Sequence, residues 1–248
     1  RVRVAIAAYF CVTTVWKPSF RDAPYERVAR LEAGAANGWR LLCDHEPGAI
    51  DCAKRPYLFC SHPHGLFCAG VSLNVVHSAS ALRRFNAKRV RLLVHPLLVN
   101  AFPLIKDWLR TLGQLPCDRA TAFGALASGE TCAIVPGGVR EVVWAGRVDK
   151  ERLYLSDVYG FARLAIRSGA PLVPTYTFGE SLSMGPDWVP GFETRRKLSY
   201  LLNAPIRFVS LCQRWCAPFP NGRLVTAVGA PIDPGPIDDS PSRPGHCG

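Results

Sequence analysis

A chain of 248 residues with 48% apolar content can bury one large α/β core or two small ones, which excludes a disordered or fibrous protein. Lys and Arg outnumber Asp and Glu by 30 to 19, and the resulting charge of +11 favours an anionic partner: nucleic acid, a phosphate-bearing cofactor or an acidic membrane surface. No basic stripe with interleaved aromatics, zinc-finger pattern or helix-turn-helix pattern occurs, so nucleic acid is not among the expected partners.

The chain opens at Arg1 and is expected to be a fragment or a trimmed sequence. Val4 to Trp16 is an uncharged, mostly apolar run, shorter than the roughly 20 residues a spanning helix needs. Residues 1–20 are therefore expected to be the remnant of a membrane or interfacial segment, with a core helix as the alternative. Arg21 to Arg40 reads as a charged helix and loop, and Asp44 to Arg55 as a polar linker. Pro56 to Cys60 is the first strand and Arg89 to His95 the second. Leu97 to Leu112 has helical length and period, stops at Gly113, and should bend at Pro103. A helix over Thr121 to Ser128 follows, then a buried strand over Thr131 to Pro136 that ends in a Gly137-Gly138 turn. Gly160 to Ser168 is a helix capped by Gly169, Pro171 to Phe178 a strand, and Arg223 to Val228 the last strand before a Pro/Gly-rich tail at 233–248. Strands alternating with helices predict an α/β fold: a single domain over 21–232 with a largely parallel central sheet flanked by helices.

The chemistry concentrates at strand exits. After the first strand come Ser61-His62-Pro63-His64-Gly65; after the Thr131 to Pro136 strand, Gly137-Gly138-Val139-Arg140-Glu141; and closing the Pro171 to Phe178 strand, Phe178-Gly179-Glu180. Exits of parallel strands share one edge, so histidine, arginine and two acids can converge there as an acid/base site with a cation. Imidazole exchanges protons near neutral pH, and Pro63 and Gly65 restrict and permit backbone angles so as to aim a ring. Taken alone, the histidine pair also fits an ordinary loop, or a metal site. Two cysteine/histidine groups, Cys43-His45-Cys52 and Cys60-His62-Cys68, lack the paired C-x-x-C spacing of a zinc site, and no metal is expected. Cys60, Cys68, Cys132 and Cys212 sit in apolar surroundings and read as reduced, structural thiols. A thiol enzyme using Cys60 or Cys68 is disfavoured because that frame raises their pKa. A serine hydrolase would need G-x-S-x-G, and Gly179-Glu180-Ser181-Leu182-Ser183 lacks the final glycine.

Five ordered motifs, H-P-H-G, L-G-Q-L-P-C-D-R, I-V-P-G-G-V-R-E, the run from Gly160 to Glu180 and V-G-A-P-I, together resemble the diacylglycerol acyltransferase type 2 family, over about Pro56 to Ile232. That family includes monoacylglycerol and wax-alcohol acyltransferases and belongs to the glycerolipid acyltransferase superfamily. The resemblance implies a glycerolipid-acyltransferase-like, membrane-associated fold. It also implies transfer of an acyl group from acyl-CoA to a neutral-lipid hydroxyl, diacylglycerol first, with monoacylglycerol, a long-chain alcohol or a non-catalytic lipid-binding role as alternatives. Location at the endoplasmic reticulum membrane or lipid droplet, a membrane surface as partner, self-association, and no cofactor beyond the acyl-CoA co-substrate are implied with it. On the residues, His64 is expected to be the general base, Glu141 its orienting acid and His62 a positioning neighbour, with Pro63, Gly65, Gly137, Gly138 and Arg140 shaping the site. Arg119 falls where the superfamily places a phosphate-binding cation. The Gly137-Gly138 amides or Arg140 are the expected oxyanion donors. Leu66, Phe67 and Phe178 are expected in the core before the acyl path.

The chain departs from the pattern at two places. The superfamily's H-x-x-x-x-D acid is missing, since Phe67 and Ala69 stand five residues after the two histidines. Val158-Tyr159-Gly160-Phe161 replaces the usual R-K-G-F and loses both cations.

Overall fold

The computed structural model describes residues 40–65, 68–100, 103–145, 153–154, 159–182, 190–203 and 224–235. The expectations for 1–20, 21–39 and most of the tail lie outside them, as do Leu66, Phe67 and Val158.

The described strands are β1 (Arg40–Cys43), β2 (Leu58–His62), β3 (Val90–Val94), β4 (Leu115–Pro116), β5 (Thr131–Ile134), β6 (Leu172–Phe178) and β7 (Val225–Val228). They form one sheet of order β1-β7-β6-β2-β5-β3-β4. From β6 to β4 every neighbour is parallel; β7 runs antiparallel to β6 and carries β1 parallel to itself. The largely parallel α/β sheet expected from the sequence is present, with its carboxyl edge at the exits of β2, β5 and β6.

Helices cover both faces because alternate strand residues are apolar. Phe59, Val90, Leu92, Ala133 and Val173 pack on one side with the helical segment Ala69–Val71 (α1), its π-helical continuation Ser72–Val76, and Ala79–Arg84 (α2). Phe59 meets Phe85 at 5.2 Å between ring centroids. Leu58, Cys60, Leu93 and Cys132 face the opposite layer of α5 (Arg119–Ala127) and α7 (Gly160–Ser168). A β-strand buried on both faces reads as a continuous apolar run, which is why β2 and β5 are visible in the sequence.

Local boundaries follow capping chemistry. The Asp118 carboxylate accepts the Thr121 N–H at 2.9 Å and starts α5 two residues earlier than expected. The helix expected over Leu97 to Leu112 is two helices, α3 (Pro96–Asn100) and α4 (Pro103–Thr111). Pro103 opens the second rather than bending one, since proline suits a first turn and disfavours helix before it. Among the described residues the remaining α-helices are α6 (Gly138–Val142) and α8 (Phe192–Leu202), and a 3-10 turn spans Glu180–Leu182. β1 and β4 were not expected, and the start of the tail is tied down. Ile232 exchanges two backbone bonds with Leu172, at 2.7 and 2.9 Å, and Arg55 forks onto Asp233 at 2.8 and 3.2 Å.

Candidate active site

Strand β2 extends to His62, two residues beyond its expected end, and stays in parallel register with β6, His62 opposite Tyr176. The last strand residue is therefore a histidine held on the sheet's edge, and the His62–Pro63 peptide bond that follows is cis. From the neighbouring exit of β5, the turn at Gly137 leads into α6, where Glu141 is 2% exposed. A side chain at Gly137 would occupy the space filled by the Glu141 carboxyl group, so only glycine lets the acid fold back over its own turn.

His62 Nδ1 lies 3.3 Å from both carboxylate oxygens of Glu141. An ionised carboxylate only accepts hydrogen bonds, so Nδ1 carries the proton and Nε2 is left as the basic nitrogen. This corrects the expected pairing: among the described residues Glu141 bonds to His62, and no bond joins it to His64. The reason is where the strand ends. His62 is part of β2 beside the β5 exit, whereas His64 lies two residues into the loop.

His64 turns to its own loop. Its Nδ1 donates to the Gly65 carbonyl at 2.6 Å, and Cys68 Sγ stands 3.4 Å from Nδ1 and 3.6 Å from Nε2. Burial holds the His64 pKa below its ordinary value, against the raising effects of the Gly65 bond and the Glu141 charge, so the ring is neutral at pH 7. The same burial, with the charges of Glu180 and Glu141, pushes the Cys68 thiol well up, and burial raises Cys60 to about 12. Neither cysteine is a thiolate nucleophile at neutral pH.

The expected cations sit elsewhere. The Arg140 side chain is exposed, donates to the Tyr154 hydroxyl and lies 4.7 Å from that ring's centroid. The Gly138 N–H donates to the Val135 carbonyl at 3.3 Å, which leaves Gly137 N–H as the remaining expected oxyanion donor. Arg119 opens α5, exposed, after the exit of β4. That strand is three places along the sheet from β2, roughly 14 Å at ordinary strand spacing. Phe178 is 56% exposed, so it lies outside the core where it was expected, its ring tilted 59° to that of Tyr176 at 4.8 Å between centroids.

Glu180, expected at the edge but given no role, gains partners there, and His95 gains a place that the site expectations did not give it. Glu180, 1% exposed, accepts the Ala69 N–H at 2.9 Å and the Gly70 N–H at 2.5 Å. His95, at the exit of β3, accepts the Leu97 N–H at 3.2 Å and contacts Asn203 at the end of α8 at 3.2 Å. The signal for both was their position immediately after a strand on the same edge.

The family profile described as diacylglycerol acyltransferase matches residues 45–209, about two thirds of the chain. The chain belongs to the diacylglycerol acyltransferase family. Diacylglycerol O-acyltransferase 2 of Dictyostelium discoideum is 31% identical over 179 residues, covering 67% of this chain and 53% of that protein. 2-Acylglycerol O-acyltransferase 3 of Homo sapiens is 33% identical over 155 residues, covering 58% and 44%. The chain thus spans about half the length of the curated relatives it matches. The crystal structure of the 1-acyl-sn-glycerophosphate acyltransferase PlsC from Thermotoga maritima superposes with a TM-score of 0.53 at 12% identity, over 96% of this chain and 84% of that one. At that identity the likeness concerns the fold: this diacylglycerol acyltransferase family member shares its α/β architecture with a glycerolipid acyltransferase.

Proposed function

We propose that the chain is an acyl-CoA-dependent O-acyltransferase that esterifies a neutral-lipid hydroxyl, diacylglycerol in first place, to give triacylglycerol. The observation that carries this is the His62–Glu141 pair at the carboxyl edge of the sheet, in a family whose named members transfer acyl groups to diacylglycerol and 2-acylglycerol. Acyl-CoA is the co-substrate and no further cofactor is invoked. A lipid hydroxyl is a poor nucleophile at neutral pH. His62 Nε2 removes its proton as the oxygen attacks the thioester carbonyl, and Glu141 stabilises the imidazolium that forms. The tetrahedral oxyanion collapses with cleavage of the C–S bond, and the imidazolium returns its proton to the departing thiolate. Ester and free coenzyme leave with the histidine neutral again, and no acyl-enzyme is needed. Gly137 N–H is the donor offered to the oxyanion. Arg119 remains the candidate for the coenzyme's phosphates, at a distance suited to a long substrate.

Work at a membrane of the endoplasmic reticulum or at a lipid droplet belongs to the same proposal. No helix among the described residues is long and apolar enough to cross a membrane. Surface contact is supported by α8, where Leu198, Leu201 and Leu202 are 42%, 79% and 59% exposed beside the basic run Arg195-Arg196-Lys197.

The test is turnover of labelled acyl-CoA with diacylglycerol, monoacylglycerol and a long-chain alcohol offered together. Ester product supports transfer, and free fatty acid alone or no product overturns it. In the same assay His62→Ala and Glu141→Gln should each lower turnover by about 1,000-fold or more, because each removes the base or its tautomer control. Near-normal turnover in Glu141→Gln would break the proposed pair.

A further inference from the structure

Among the described residues Glu180 is the most completely buried acid outside the proposed dyad, and the register of the sheet explains where it lands. β6 runs parallel to β2 with Tyr176 beside His62, so the residues after Tyr176 run alongside the loop that follows His62. Four positions on, Glu180 reaches that loop at three points. Its two oxygens accept the consecutive N–H groups of Ala69 and Gly70, at 2.9 and 2.5 Å. Its side chain also fills the space that a Cβ on Gly65 would need. Between these contacts Cys68 holds a left-handed backbone, φ 52°, which costs a non-glycine residue energy and persists only where its surroundings impose it.

We propose that Glu180 is a positioning residue for acyl transfer: by gripping Gly65 on one side and the amides of Ala69 and Gly70 on the other, its carboxylate fixes the loop that carries His64 between β2 and α1. The role rests on the acyl-transfer reading above. A carboxylate suits it for a physical reason. Two adjacent donors need two acceptors, and bonds to an ionised acceptor are about twice as strong as neutral ones. Glutamine has almost the same shape but a single acceptor. Its amide nitrogen would be turned on one of the two N–H groups, donor against donor.

Glu180→Gln is therefore the informative variant, compared with Gly65→Ala and with the double variant. A loop displaced by a fraction of an ångström should lower kcat on the order of 100-fold, while KM for acyl-CoA stays within about twofold. Gly65→Ala should do the same, and the double variant should be no worse than either single one, since both act on one contact. Hydrogen exchange should speed up at Ala69 and Gly70 while strand β5 keeps its protection. Alkylation of Cys68 should move to lower pH, because the Glu180 charge is one of the causes that hold its thiol up. Wild-type kcat in Glu180→Gln, strictly additive losses in the double variant, or exchange that rises across the whole sheet would each overturn the role. Absence of acyl transfer in the unmodified chain would instead refute the reaction. The loop clamp would then stand if exchange and Cys68 alkylation change as stated, and fall if they do not.

Discussion

Two histidines one residue apart are chemically alike and are made different by what each Nδ1 touches. In His62 the partner is a buried carboxylate, which fixes the tautomer and stabilises a ring that gains a proton. In His64 the partner is a backbone carbonyl, and burial disfavours the charged form. Only His62 has a carboxylate bonded to its ring, which is why the proposed mechanism takes His62 as the base. His64→Ala should accordingly lose about 10- to 100-fold in kcat through the loop and keep the wild-type pH dependence, whereas His62→Ala leaves only background turnover. Parallel rate–pH profiles for the three proteins separate the two histidines. Equal losses in both variants would return the base to His64.

The helical layer over the active-site edge brings a pH dependence of stability that is independent of catalysis. α1 continues as the π-helical segment Ser72–Val76, and α2 begins at the Ser78 cap, where Ser78 Oγ accepts the Ala81 N–H at 3.0 Å. Between them His77 is 8% exposed, its Nε2 has no partner among the described residues, and burial pushes its pKa down to about 4. The unfolded chain takes up that proton near pH 6.5 and the folded one only near 4, so stability falls as pH drops through this window and is flat above it. The loss attributable to His77 approaches roughly 3 kcal/mol below pH 4. His77→Leu should flatten the curve of unfolding free energy against pH between 4 and 6.5, measured by urea titration. An unchanged slope would place the acid sensitivity elsewhere. This layer also shows what the sequence makes legible. β2, β5 and β6 are readable because each is an apolar run ending at a Gly or Pro turn. β1 and β4 are not, since Arg40–Cys43 runs straight on from a charged stretch and Leu115–Pro116 is two residues long, so both are strands only through their partners Val225–Val228 and Leu93–Val94. The site divides the same way. Strand exits put His62, His64, Glu141 and Glu180 on one edge from sequence alone. Which histidine takes Glu141, and where Glu180 reaches, depend on how far β2 runs and on the His62–Tyr176 register, which no local pattern encodes.

At the scale of the molecule, charge and apolar exposure point to one way in which the proposed lipid substrate would be met. On the membrane-surface proposal, the net charge of +11 supplies attraction to an anionic surface, an effect that screening confines to about 10 Å at ordinary ionic strength. Apolar contact has to act within that range. α8 packs beside α6, and Trp144, two residues past the end of α6, donates to the Tyr200 hydroxyl at 3.2 Å and meets the Phe192 ring at 5.0 Å. The helix is thereby fixed next to the one that carries Glu141, with Leu198, Leu201 and Leu202 turned to solvent. Asn203, just past the end of α8, contacts His95, which immediately precedes α3, and Leu97 of α3 is 41% exposed. Burying an exposed leucine in an apolar phase contributes about 1.5–3 kcal/mol, and replacing two by charge removes that and adds a desolvation cost. Leu201→Glu with Leu202→Glu should therefore lower partition onto phosphatidylserine-containing vesicles at least tenfold, with the chain still folded by circular dichroism. Adding salt to the wild-type chain should weaken binding only in part, because the leucine contribution does not depend on charge. If the double variant binds as the wild type does, α8 is not the surface that meets the membrane, and if salt abolishes wild-type binding entirely, attraction is electrostatic alone.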